Sequence, residues 1–110
     1  MFQKIKKVFY RSVMDNDINY EVAKKILRQE NGALIDVRSK QEFEEGHLPT
    51  AIHVSLYDIQ KQIEKIIPDK SKLIVVCCSS GNRSQKAKQI LENMGYQEVY
   101  NLKGGLNAIF

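Results

Sequence analysis

The sequence predicts an α/β fold, a mostly parallel sheet with helices on both faces. Two observations point there. Short strand-like runs alternate with stretches of helical periodicity along most of the chain. The clearest run, Leu73-Ile74-Val75-Val76-Cys77, is apolar at successive positions, the pattern of a strand covered on both faces. No repeat, low-complexity tract or linker interrupts this alternation, so the 110 residues read as one unit.

Taken in order, residues 2–14 place Phe2, Ile5, Val8, Phe9 and Val13 at helical spacing with lysines between them. This segment is expected to pack on the domain as an amphipathic helix. The sharper alternative is a basic surface for a membrane or a partner. A second helix is expected from Asn19, with Val22, Ala23, Ile26 and Leu27 on one face and Asn31-Gly32 as its stop. Residues 33–37 read as a buried strand. Ser39 and Glu42 then form a capping box, in which each side chain satisfies the other residue's free backbone N–H. A short helix follows, with Phe43 pointing inward and Gly46 at its end. Residues 51–54 read as a strand, and Ser55 as the cap of a helix carrying Leu56, Ile59, Ile63 and Ile66 as a stripe, closed by Pro68. After the strand at 72–77, a helix is expected from about Asn82–Ser84, with Ala87, Ile90, Leu91 and Met94 inward and Gly95 as cap. Residues 98–102 form the last strand, and Gly104-Gly105 opens a short terminal helix.

Composition narrows the function. Apolar residues make up 43% and charged residues 27%, the balance of an ordinary globular domain. The longest apolar run is far too short for a membrane span of about 20 residues. The N-terminus is broken by Lys4, Lys6, Lys7 and Arg11 and lacks a secretory h-region. Two adjacent cysteines, Cys77 and Cys78, do not build a disulfide framework and fit a reducing, cytoplasmic setting. The net charge of +4 is too modest to argue for nucleic acid, and no nucleic-acid motif appears.

The chemistry converges on Cys78. In such sheets a ligand lies beyond the carboxyl ends of the strands, and the strongest strand delivers its end into Cys78-Ser79-Ser80-Gly81-Asn82-Arg83-Ser84. Ser79, Ser80 and Gly81 are small, so their backbone N–H groups can converge on one point as an anion nest. The following helix adds its N-terminal N–H groups and dipole. Arg83 supplies a cation able to fork onto an oxyanion. Each feature favours a thiolate. Cys77, by contrast, continues the strand, and its side chain projects to the opposite face, into the core.

These residues resemble the rhodanese family. Cys78-Ser79-Ser80-Gly81-Asn82-Arg83-Ser84 is similar to its C-R-S-G-N-R-S active-site loop. Asp36-Val37-Arg38, Glu42-Phe43 and Gly46-His47-Leu48-Pro49 resemble its D-V-R…E-[YF]…G-H-I-P-G-A stretch, and Leu102-Lys103-Gly104-Gly105 its L-x-G-G segment. The matches span about residues 17–109. They divide the chain into an amphipathic helical extension, 1–16, and a rhodanese domain, 17–110. The resemblance implies a three-layer fold on a five-stranded sheet. It implies a sulfurtransferase in which Cys78 takes sulfane sulfur from thiosulfate or a persulfide and passes it to cyanide or a thiol. Ser79, Ser80, Gly81, Asn82, Arg83 and Ser84 would hold the anionic sulfur or donor, with Arg83 orienting the loop or the donor. A protein partner in a sulfur relay is compatible with it, as is a monomer. Three residues depart from the family pattern: Ser79 where Arg is frequent, Thr50 where Gly is, and Ile109 where Trp is. The first removes a cation from the pocket mouth, and all three bear on substrate preference.

Asp36, Arg38, Glu42 and His47 are expected to be structural supports. Asp36 ends a strand, Glu42 completes a cap, and Arg38 is within reach of either. The two histidines and two cysteines have no zinc spacing, and neither a metal nor an organic cofactor is expected. Two alternatives remain open. A phosphatase or arsenate reductase would use the same cradle, against which the six-residue loop from Cys78 to Arg83 argues. A partner-binding module would use the frame without turnover.

Overall fold

In the computed structural model, which describes residues 16–110, five parallel strands form one sheet in the order β1-β5-β4-β2-β3. They are β1 (Asp17–Ile18), β2 (Ala33–Asp36), β3 (Ile52–His53), β4 (Leu73–Cys77) and β5 (Glu98–Leu102). The helices are α1 (Tyr20–Gln29), α2 (Lys40–Glu45), α3 (Ile59–Ile66) and α4 (Asn82–Asn93), followed by a 3₁₀ turn at Leu106–Ala108. The helix expected over residues 2–14 lies outside the described residues.

The central strand is β4, paired with β2 on one side and β5 on the other. All five of its residues are buried, as successive apolar positions require. Alternation along it divides the core in two. Ile74, Val76 and Cys78 face one cluster, with Ile59 and Ile63 of α3 and Ala87 and Leu91 of α4. Leu73, Val75 and Cys77 face the other, with Ala23 of α1 and Leu106. The two cysteines thus enter different halves of the core.

Local signals explain most of the frame. Asn19 caps α1 by accepting the Val22 N–H at 2.9 Å. The Ser39–Glu42 capping box forms in both directions, at 3.2 and 3.0 Å. Strand β1 escaped the periodicity argument because two residues carry no period; its pairing with β5 supplies the edge.

Three local expectations are corrected. The third helix starts at Ile59, not Ser55, because Val54 and Leu56 still donate to the Asp36 and Val37 carbonyls alongside β2. The Ser55 hydroxyl instead donates to Asp58, closing the intervening turn. At the other end Ile67, not Ile66, enters the core: the helix stops at Ile66, and the extended backbone of Ile67 turns its side chain inward. Phe43 is only half-buried: its ring stacks with the imidazoles of His47 and His53 and is not part of the apolar core.

Thr50 adopts φ of 68°, a left-handed conformation that a β-branched residue tolerates poorly. Replacing it with glycine removes about 1–2 kcal/mol of steric cost. The greater freedom of an unfolded glycine offsets roughly half of that. Thr50→Gly is therefore expected to raise Tm by about 5 °C in a thermal melt followed by circular dichroism. An unchanged or lower Tm would mean that contacts of the threonine side chain outweigh its backbone strain.

Candidate active site

Cys78 follows directly from β4 and is fully buried. The chain then leaves the sheet through Ser79 and Ser80, turns at Gly81 with φ of 101°, and enters α4. That turn closes back on the cysteine. The Gly81 N–H donates to the sulfur at 3.1 Å and the Ser84 N–H at 3.4 Å, while the Ser84 hydroxyl lies 3.3 Å away. Burial pushes the Cys78 thiol up. The Ser84 hydroxyl and the N–H groups of Ser84, Gly81 and Ser80 outweigh it and bring the thiol below its ordinary value. Cys77 has no such ring, and burial together with the charge of Asp36 pushes its thiol far up.

The N–H groups of Ser79 and Ser80 face inward because the carbonyls before them are held outward. Leu106 donates to the Cys78 carbonyl at 2.8 Å and Asn107 to the Ser79 carbonyl at 2.9 Å. The peptide plane then aims the Ser79 and Ser80 N–H groups the opposite way. Gly105 permits this approach: its φ is 61°, and a Cβ there would lie 2.4 Å from the Cys78 carbonyl oxygen. The L-x-G-G segment therefore shapes the cradle from a distant part of the sequence.

Among the loop side chains, Ser80 and Asn82 are exposed at the rim, while Ser84 is buried beneath the sulfur. Arg83 does not present an open fork. Its guanidinium closes on Glu42, with Nη1–Oε1 at 2.6 Å and Nη2–Oε2 at 2.9 Å. The Ser79 hydroxyl joins them, donating to Glu42 Oε2 and accepting from Arg83 Nη2, both at 3.3 Å. Glu42 thus does more than cap α2: it ties α2 to the loop and the start of α4. The Arg83 guanidinium holds its carboxyl far below the usual carboxylate range, against the effect of its partial burial, with the Ser39 N–H adding to the depression.

The other expected supports stand apart from the sulfur. Asp36 is fully buried and takes Arg38 Nε and Nη2 at 3.0 and 2.8 Å; Arg38 Nη2 also donates to the Gly46 carbonyl. Arg38 therefore pairs with Asp36 and not with Glu42. His47 Nδ1 donates to the Phe43 carbonyl, and its ring stacks on Phe43 at 3.7 Å. Among the described residues no group of three or more His, Cys, Asp or Glu could hold a metal, and no helix is long and apolar enough to cross a membrane. One buried polar neighbour was missed by the sequence reading. Asn101 of β5 touches both Ser84 and the Gly81 carbonyl. Its signal was an amide in an otherwise apolar buried strand.

Known proteins are similar to this chain in sequence and fold. The family profile described as "Rhodanese-like domain" covers residues 19–110. The chain is 39% identical over 75 residues to thiosulfate sulfurtransferase PspE of Escherichia coli K12, covering 68% of this chain and 71% of that protein. It is 34% identical over 96 residues to thiosulfate sulfurtransferase GlpE of Coxiella burnetii, covering 87% and 88%. The human single-domain sulfurtransferase TSTD1 superposes with a TM-score of 0.73 at 21% identity, over 84% of this chain and 92% of that one, a likeness of fold.

Two outcomes follow from the site. Ser84→Ala removes a donor to the sulfur, so alkylation of Cys78 by iodoacetamide is expected to require a higher pH than in the wild type; an unmoved profile would exclude the hydroxyl as a donor. Glu42 has a lowered folded-state pKa, so it contributes stability above its unfolded value of about 4.3 and loses it as pH falls toward the folded value. Glu42→Gln retains the cap but not the charge. At pH 7 it is expected to cost up to about 1 kcal/mol, given the pair's exposure. That deficit should shrink below about pH 4 in urea denaturation; a deficit constant across pH would deny the pair its role.

Proposed function

The chain belongs to the rhodanese-like domain family, and from that premise we propose that it is a sulfurtransferase carrying sulfane sulfur as a persulfide on Cys78. The observation that carries this reading is the ring of donors around one buried sulfur, met by the Gly81 and Ser84 N–H groups and the Ser84 hydroxyl. Such a ring stabilises negative charge on sulfur in a site that excludes water.

In the first half-reaction the Cys78 thiolate attacks the outer sulfur of the donor. A new S–S bond forms, the donor's S–S bond breaks, and its electron pair leaves with sulfite from thiosulfate, or with a thiolate from a persulfide. The charge now sits on the outer sulfur of Cys78–S–S⁻. In the second, cyanide or an acceptor thiolate attacks that outer sulfur, and the electron pair of the broken bond returns to Cys78. Thiosulfate is the donor that the names of the PspE and GlpE relatives suggest. The inward N–H groups of Ser79, Ser80 and Gly81 suit the outer sulfur. Arg83 contributes through Glu42, fixing the loop's approach to α4. Asn82 and Ser80, at the rim, are placed to meet the donor. The short loop favours a single sulfur over a tetrahedral phosphate.

Intact-mass measurement after incubation with thiosulfate tests this. The reduced wild type should gain one sulfur, cyanide should remove it, and Cys78→Ser should gain none. If folded, reduced protein gains no sulfur from thiosulfate or from glutathione persulfide, the sulfurtransferase reading fails.

A further inference from the structure

The Ser84 hydroxyl has one proton and three acceptors within reach. Cys78 Sγ lies at 3.3 Å, the Gly81 carbonyl at 3.2 Å and Asn101 Oδ1 at 2.5 Å. The orientation of the Asn101 amide is settled by its other end. Its Nδ2 is 3.2 Å from the Gly81 carbonyl, which only accepts, so Nδ2 faces that carbonyl and the oxygen faces Ser84. Asn101 is buried, and β5 holds it in register with Val76 of β4. The Gly81 carbonyl already receives the Gln85 N–H at 3.1 Å. The effective choice for the hydroxyl is therefore between the sulfur and Asn101.

The geometry points to Asn101 as a positioning residue for Cys78, competing with the sulfur for the Ser84 hydrogen. With a thiolate, the hydroxyl donates to the charge. When Cys78 is bonded to an outer sulfur, the inner sulfur is neutral, and the hydroxyl turns to Asn101 Oδ1. No buried donor is stranded in either state. This last step rests on the persulfide reading; the competition itself does not. Among the described residues, the charges of Arg83 of α4 and Glu42 of α2, and of Asp36 of β2 and Arg38, are tied up in ion pairs, and Asp17 of β1 lies in register with Asn101. From β5 and the turn after it, the neighbours Asn101, Gly105 and Leu106 bring no charge.

The test is the rate of Cys78 alkylation by iodoacetamide against pH, with Cys77→Ala as the background throughout. In Asn101→Ala the hydroxyl loses the acceptor it turns to when the sulfur is neutral, so the thiol form is disfavoured against the thiolate. The thiolate then persists to lower pH, and the low-pH rate should rise about threefold, as the loss of one neutral hydrogen bond from the thiol form allows. The high-pH plateau should fall, because the thiolate of a more acidic thiol is a weaker nucleophile. The two curves cross. Adding Ser84→Ala should abolish the difference, the mark of coupling through that hydroxyl. Asn101→Asp, nearly the same shape, should move the profile toward higher pH, and it serves if the alanine variant folds poorly. A lowered Tm with an unmoved alkylation curve would overturn the proposal. So would an Asn101→Ala effect that survives in the Ser84→Ala background, or both Asn101 variants moving the profile the same way. None of these readouts requires sulfur transfer, so a failure of the persulfide reading is seen separately in the mass measurement.

Discussion

The N–H and C=O of one peptide group point in opposite directions, so a loop cannot turn both toward its centre. At Cys78 the choice is made from outside the loop. The N–H groups of Leu106 and Asn107 take the carbonyls of Cys78 and Ser79, and the free N–H groups of the same peptides are left facing in. This arrangement aims the Ser80 N–H, one of the groups that lower the thiol; the Ser84 hydroxyl and the N–H groups of Ser84 and Gly81 complete the ring. The arrangement in turn depends on Gly105, where any side chain would strike the carbonyls being held.

Backbone dipoles and the Ser84 hydroxyl supply the field at the sulfur, and side-chain charges mainly hold the scaffold. Glu42 and Arg83 neutralise each other in a two-toothed contact, and Asp36 and Arg38 do the same below the sheet's carboxyl edge. A backbone dipole cannot swing away, whereas a lysine or arginine on a flexible stem can. Apart from the Ser84 hydroxyl, the cradle is thus built from the least adjustable groups available, which suits a site that must be ready before the reaction begins.

Much of this was legible in the sequence. The double-sided burial of β4 follows from five consecutive apolar residues, and the separation of Cys77 from Cys78 follows from strand alternation alone. The cap formed by Ser39 and Glu42 is a four-residue pattern, visible without any tertiary knowledge. What escaped is what depends on distant partners. Glu42 meets Arg83 across 41 positions, and Asn101 meets Ser84 across 17, with no local pattern to announce either. Helix ends failed for a related reason. Ser55 is a good cap in isolation, but Leu56 had already spent its N–H on Val37. The resemblance marked Thr50 as a departure, and the positive φ there shows why glycine suits the position.

The two sulfurs are neighbours in sequence and strangers in space, one in each half of the core, on a strand that hydrogen bonds hold on both sides. A bond between them would require β4 to unwind. Oxidant that reaches Cys78 therefore meets a cysteine with no resolving partner in the chain. A sulfenic acid formed there has no internal route to a disulfide, and unless a thiol from outside captures it, a second equivalent of oxidant takes it to the sulfinic state. The burial that protects a reactive sulfur from water also leaves its repair to other molecules.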